Sequence, residues 1–280
     1  MRERDATPLY LWRMVYGFVM FFETAGAVAI GWVKEVYLDP PNFTFNFIGF
    51  DFLQPLPGYG MYYWFGAMAV CSLGVMLGYR YRLSAFFLAL LWTGAYLMHK
   101  ESYNNHHYLM FLLNWMLVFT PLHLGRSLDV KHKRIQEYVY LPTIFWLQYI
   151  GLFLIVFFYA ALAKVYPDWL NALPLKIWLG AKSSWLNQLI SLDGRAYLMA
   201  YGGVVFDFLV IPALLYKPTR WWAIGVSVIF HISNSITFQI GTFPYLMIGA
   251  TVLFFSGEEL VKLLKLKRQT VASTYQPLLS

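Results

Sequence analysis

Charged side chains are scarce in this sequence: Asp, Glu, Lys and Arg make up 12% of its 280 residues, against roughly 25% in a soluble domain. With 59% hydrophobic residues and a mean hydropathy of +0.53, the chain lacks the polar surface for a water-facing globule. A polytopic membrane protein is expected instead. Cysteine is nearly absent too. Cys71 is the single one, which excludes an intrachain disulfide. There is no cysteine pair, no His-x-x-x-His and no array of acidic ligands, so no metal is expected. Acidic residues number 14 against 21 basic ones, a net charge of +7. In a chain of this class such a surplus belongs to loops on one side of a bilayer, and no nucleic-acid partner is expected.

What is present is a series of apolar stretches at 9–33, 62–78, 83–98, 108–122, 141–163, 196–216, 221–238 and 241–255. Backbone groups in lipid must satisfy one another, so helices are expected. The first stretch is too long for a signal-peptide core and holds Glu23, so it is read as an uncleaved span. The fourth and eighth are short for a bilayer, and the eighth, opened by Gly241-Thr242-Phe243-Pro244, fits a partly re-entrant segment. With no linker or low-complexity segment, the reading is one all-α membrane domain over 1–280, of about eight spans.

Sorting Lys and Arg by alternating side gives a clear bias. One side holds Arg2 and Arg4; Arg80 and Arg82; Arg126, Lys131, Lys133 and Arg134; Lys217 and Arg220; and Lys262, Lys265, Lys267 and Arg268. The other holds Lys34, Lys100, Lys164, Lys176, Lys182 and Arg195. The richer side is expected to be cytoplasmic, with both termini there. The run from Lys262 to Arg268 reads as an anchor on anionic lipid. Two outer segments are more than loops: 37–60 is rich in Phe and Pro, and 167–193 carries Trp169, Trp178 and Trp185 among leucines. The latter reads as amphipathic surface helices, and the two together as a lid over an outward-facing cavity.

Ionisable groups inside spans are costly in lipid and mark function. Glu23 lies in the first stretch, Asp207 in the sixth and His231 in the seventh. Asn234, Ser235 and Phe238 follow His231 at i+3, i+4 and i+7, on one helix face. Asp207 and His231 reach similar depth on consecutive antiparallel spans, so a carboxylate–imidazole pair is expected. At the outer start of the fourth stretch stands Tyr103-Asn104-Asn105-His106-His107-Tyr108. Adjacent histidines diverge by about 100° on a helix, so one should face the cavity and the other solvent or headgroups. Lys164 comes just after the fifth stretch and is followed by Val165-Tyr166-Pro167. It reads either as an interfacial anchor or as a weakly solvated amine base.

These residues resemble a known family. Arg13-Met14-Val15-Tyr16-Gly17, Leu73-Gly74-Val75-Met76-Leu77-Gly78 with Arg80-Tyr81-Arg82, Asn104-Asn105-His106-His107-Tyr108-Leu109 and Ser127-Leu128-Asp129 occur in order. Lys164 with Asp168-Trp169, and Phe230-His231, Asn234-Ser235 and Phe238-Gln239-Ile240-Gly241-Thr242-Phe243, complete the set. Over nearly the whole chain they resemble the membrane domain of vitamin K-dependent γ-glutamyl carboxylase. The chain is identified as a member of the HTTM (horizontally transferred transmembrane) family. The resemblance implies Lys164 as the base that deprotonates a vitamin K-type hydroquinone. It also implies His106 as an oxyanion partner, with Asn105, His231 and Asn234 lining the site. Asp207, Glu23, Trp169 and Phe238 are taken as further pocket residues. In the carboxylase, oxygenation of the hydroquinone yields an epoxide and an alkoxide that removes a glutamate γ-proton, and the carbanion captures carbon dioxide. The implied cofactors are thus a reduced quinone of the vitamin K or menaquinol type with oxygen and carbon dioxide.

Two departures narrow the expectation. Ala163 stands where the carboxylase has a second lysine, and the sequence runs only to Ser280 after the last stretch, without the carboxylase's lumenal domain. The expected activity is therefore epoxidation or modification of a small peptide, not carboxylation of a propeptide-bearing protein. The expected location is a bacterial cytoplasmic membrane with the site on the extracytoplasmic side. A non-catalytic lipid- or quinone-binding scaffold and a transporter are the alternatives.

Overall fold

A computed structural model describes residues 2–40, 44–180, 190–238 and 240–266. Trp185, Lys182, Gln239, Lys267 and Arg268 lie outside the described residues. The helices are α1 (Thr7–Ala29), α2 (Gly60–Leu77), α3 (Tyr81–Met98), α4 (Asn105–Phe119), α5 (Leu128–Lys131), α6 (Ile144–Leu162), α7 (Pro167–Leu170), α8 (Leu173–Gly180), α9 (Leu192–Leu215), α10 (Arg220–Phe238), α11 (Phe243–Ala250) and α12 (Gly257–Leu263). Two short strands, β1 (Glu3–Asp5) and β2 (Tyr140–Pro142), pair antiparallel with Arg4 opposite Leu141. They modify the all-α expectation only at the edge. The chain forms two compact units: residues 1–143 with 241–280, and residues 144–240.

Five helices are long and apolar enough to cross a membrane: α2, α3, α6, α9 and α10. Their outward residues suit lipid, since Val70, Tyr63, Ile155, Leu198, Ile229 and Trp222 are all exposed. The other three expected spans differ. Helix α1 has 23 residues but carries Arg13 and Glu23, and it falls outside this group. Helix α4 has 15 residues, and the last stretch is an eight-residue α11 followed by a 3-10 turn, Thr251–Phe254.

In the first unit α1 packs on α2, α11 and α12, and the chain continues α2 on α3 on α4. The α1–α2 contact is close because position 17 has no side chain. A Cβ there would come within 2.5 Å of the Met76 backbone nitrogen. One end of the unit is tied by hydrogen bonds. Tyr10 donates to the Tyr138 carbonyl at 2.7 Å, buried Arg13 donates to the Arg126 carbonyl at 2.7 Å, and Arg4 donates to the Phe255 carbonyl at 3.3 Å. Asp129 on α5 accepts from the backbone N–H groups of Arg80 and Tyr81 at 2.9 and 3.0 Å. It thus supplies the carboxylate that the start of α3 needs. Gly78 ends α2 in the left-handed region at φ 64° and accepts the Asp129 N–H at 3.0 Å. Arg134 completes the knot on Asp129 at 3.2 Å. At the opposite end, the 44–59 segment is fastened to the α3–α4 junction: Phe47 N–H meets the Leu97 carbonyl at 3.2 Å, and Phe45 N–H meets Glu101 at 2.9 Å.

The second unit is built on α9. It receives α6, α7, α8 and α10, and α8 buries Leu175 and Leu179 against Ala196 and Ala200. The tryptophan-rich segment is therefore partly helical and packed. Its described helices dock on α9 through one face while Ile177 and Trp178 remain exposed.

Two predictions follow from the first unit. Gly17→Ala is expected to lower stability by about 2 kcal/mol through overpacking, read as thermal unfolding in detergent. A loss no larger than that of Gly26→Ala, where a Cβ meets nothing, would refute the close-contact account. Burial by itself would raise the Asp129 carboxyl, but the Tyr81 and Arg80 N–H groups and Arg134 outweigh it and hold it below its ordinary value. Asp129 thus contributes stability that is full at neutral pH and is lost as pH falls through its lowered value. Asp129→Asn is expected to destabilise at pH 7 and to flatten the acid limb of the stability profile.

Candidate functional site

Helix α6 stops at Leu162, and the chain resumes helix at α7 with Pro167 in its first turn. Lys164 sits in the intervening turn. Its side chain runs back toward α6, and Nζ donates to the Ala160 carbonyl at 3.3 Å. Its other partner is the Asp207 carboxylate on α9, with which it forms a direct ion pair. The Asp207 side chain is 4% exposed and that of Lys164 22%, so the amine is the accessible member. Trp169 on α7 lays its ring 5.7 Å from Nζ and is fixed by its Nε1–H, which donates to the Ala200 carbonyl at 3.2 Å. Gly203 lies one turn before Asp207 on the same α9 face, and the lysine stem passes over it, 4.0 Å from where a Cβ would be. Lys164, Asp207 and Trp169 form one cluster.

This corrects the expected Asp207–His231 pair. The Asp207 carboxylate turns to Lys164 instead. The physical reason is charge: an ammonium poorly served by water needs an anion, whereas a neutral imidazole does not. His231 is buried beside the rings of Phe230, Phe206 and Phe157, at centroid distances of 5.3, 5.7 and 6.3 Å. Asn234 is half-buried. Phe238 packs against Trp178 at 5.7 Å and, with Trp169, borders the apolar cluster between α8 and α9.

Glu23 and the two histidines belong to the first unit. Asn104 caps α4 by accepting the His107 backbone N–H at 2.8 Å. Its amide oxygen being committed there, the amide nitrogen donates to His107 Nδ1 at 3.2 Å. The proton of neutral His107 therefore sits on Nε2, which faces Glu23 Oε1 at 3.5 Å. The other Glu23 oxygen accepts from the Thr242 hydroxyl at 2.5 Å. Trp92 and Trp32 present their rings edge-on to the imidazole at 5.6 and 6.1 Å, and Trp92 donates to the His107 carbonyl at 3.2 Å. His106 points elsewhere: its ring stacks on Phe243 at 3.9 Å and 24°. Asn105 is exposed and accepts from the Tyr103 hydroxyl at 3.2 Å.

His107 and Thr242 were absent from the sequence-based site, and the view that one histidine meets solvent or headgroups is corrected for His107. It is held by Asn104 and Glu23. The signal was legible in part: Asn104 stands where an N-cap would accept from the third following residue. Nothing in the sequence indicated that the Thr242 hydroxyl, at the start of α11, would reach for Glu23.

Among the described residues, Lys164 with Asp207 and Glu23 with His107 thus form polar clusters, one in each unit. The Lys164–Asp207 pair can exchange a proton with a ligand through an amine backed by a buried carboxylate. The Asn104–His107–Glu23–Thr242 chain fixes a tautomer and joins α1, α4 and the start of α11. Together with five helices able to cross a membrane, these clusters fit a polytopic integral membrane protein that holds ionisable groups within its helices and just past them. The HTTM domain model matches residues 1–258, and the chain belongs to the HTTM family. That domain is related to the membrane domain of vitamin K-dependent carboxylase. No solved structure matches the chain.

Glu23→Ala, which strands both the His107 Nε2–H and the Thr242 hydroxyl, is expected to lower stability by about 3 kcal/mol. Glu23→Gln, which keeps an acceptor, should cost about 1 kcal/mol. Equal losses in thermal unfolding would show that packing at position 23, and not the hydrogen bonds, carries the effect.

Proposed function

We propose that this protein is a membrane-embedded, carboxylase-like enzyme that acts on a reduced lipid quinone, with Lys164 as the base that takes a hydroxyl proton. The observation that carries the reading is the Lys164 cluster. It presents a partly accessible amine beside a buried carboxylate, with the Trp169 ring and the apolar residues between α8 and α9 at hand. An aromatic ring bearing an acidic hydroxyl suits those surroundings: the amine meets the hydroxyl, and the rings and leucines take the apolar body. When bound, the quinol with oxygen supplies the strongly basic chemistry. The protein supplies proton transfer at Nζ and a site poor in water.

The relation of the HTTM domain to the vitamin K-dependent carboxylase supports this class of chemistry. Carbon dioxide and a small peptide are the further substrates in this reading. The excess of Arg and Lys on alternate connections supports cytoplasmic termini and an extracytoplasmic site, and a bacterial cytoplasmic membrane is the location taken in this reading. An eight-span arrangement would follow if α1, α4 and the α11 region also enter the bilayer. A second reading, a quinone- or lipid-binding scaffold, draws on the same ion pair, since a paired lysine can be purely structural.

The test is turnover of reduced menaquinone with oxygen by purified protein in lipid nanodiscs, with epoxide measured by mass spectrometry. Wild-type protein is expected to form product, and Lys164→Ala to lose about 100-fold or more in rate. Absence of product with wild type would reject the quinol reading, and undiminished product from the variant would reject Lys164 as base.

A further inference from the structure

We propose that Asp207 is the final acceptor of the substrate proton, acting through Lys164, so that the base is the pair and not the lysine alone. The inference rests on the quinol reading above and extends it to a second residue.

The argument is one of valence. Lys164 Nζ donates to the Ala160 carbonyl, which can only accept, and to the Asp207 carboxylate. Two of its hydrogens are thereby committed. The third position on nitrogen carries either another hydrogen, in the ammonium, or the lone pair that a base requires. A neutral amine there would leave the Asp207 carboxylate, at 4% exposure, as an uncompensated buried anion. That is the costly arrangement, so the resting pair is ammonium and carboxylate. In that form Nζ has nothing with which to accept a proton.

The obstacle disappears if Nζ hands one proton to Asp207 as it receives another. The substrate O–H bond breaks and an N–H bond forms, while a different N–H bond breaks and an O–H bond forms on Asp207. The products are a substrate oxyanion, a Lys164 ammonium and a neutral Asp207. No electron changes hands, and the net charge of the site is unchanged. The ammonium has one anionic partner before the step and one after it; the oxyanion has taken the place of the carboxylate. The exposures agree with this order, since the amine is the accessible member and the carboxylate lies behind it. Asp207 meets the substrate only by way of Lys164 and is a positioning residue in that sense.

The experiment uses the full chain in nanodiscs under anaerobic conditions, with a short-chain naphthohydroquinone as probe. Tryptophan fluorescence reports binding, and the absorbance of the bound hydroquinone anion reports deprotonation. Wild-type protein is expected to bind the probe and to form the anion. Asp207→Asn should bind it yet lose the anion signal, with Lys164 remaining an ammonium that an amine-acylating reagent modifies no faster than in wild type. Asp207→Glu should restore the signal. Infrared difference spectra of the wild-type protein provide a reading that needs no variant: a protonated carboxyl C=O stretch should appear with the anion. Anion formation in Asp207→Asn at the wild-type level, or an anion without a new carboxyl stretch, would overturn the relay and leave Lys164 as the base. Bound probe with no anion in wild type would overturn the quinol reading itself, and the relay with it.

Discussion

A charge surrounded by hydrocarbon has to find its partner within the protein, because lipid offers none. The arrangement of Lys164 and Asp207 follows from that requirement. One comes from the turn after α6 and the other from α9, and their meeting fixes how those helices face each other in the second unit. The contact also needs small residues nearby: Gly203 lets the lysine stem lie along α9, and Ala200 offers the carbonyl that orients Trp169. Such a pair is weak evidence for net stability, since desolvation of both ions offsets much of their attraction. Its stronger consequence is specificity, because any other rotation of α9 would leave Asp207 buried and alone.

The first unit meets the same requirement largely by pairing charged side chains with backbone groups, an imidazole and a hydroxyl. At one end Asp129 takes up N–H groups that no residue within α3 can satisfy, and Arg13 and Tyr10 close on loop carbonyls. At the other end Glu23 lies between an imidazole and a hydroxyl. Every one of these bonds joins segments far apart in sequence, including the start of α1 to residues near 126 and 138. The bonds at the two ends therefore hold together a unit whose middle is made of helices with lipid-facing surfaces. Close helix contact in that middle depends on Gly17 against Met76, since among apolar helices in lipid packing replaces the hydrophobic effect as the cohesive force.

Much of this was readable from composition and spacing, and the exceptions share a cause. The five helices able to cross a membrane fall on predicted stretches, with ends shifted by a few residues: 83–98 against Tyr81–Met98, and 196–216 against Leu192–Leu215. Hydropathy reports the solvent around a helix, and for these helices the solvent is lipid along most of their length. Helices α1, α4 and α11, where charge or shortness departs from that condition, fall outside this group of five. The mispairing of Asp207 with His231 arose differently. Counting residues gives depth along a helix, but the direction of a side chain around the axis depends on which neighbour packs where. Asp207 shares its face with Gly203 and meets α6, whereas His231 lies among Phe157, Phe206 and Phe230.

The same distinction bears on Lys164. Read by position, a lysine one residue past an apolar stretch is an anchor that extends toward water or headgroups. In the structure its side chain turns the other way, back over α6 to a carbonyl and a buried carboxylate. An anchor gains nothing from that reversal, because its free energy comes from keeping the ammonium hydrated. A proton-transferring group does gain, since a partner that can change its own charge lets nitrogen exchange protons without leaving an unpaired ion in a dry site. The direction of this side chain, more than its place in the sequence, supports the proposed proton transfer over a role as an anchor at the membrane surface.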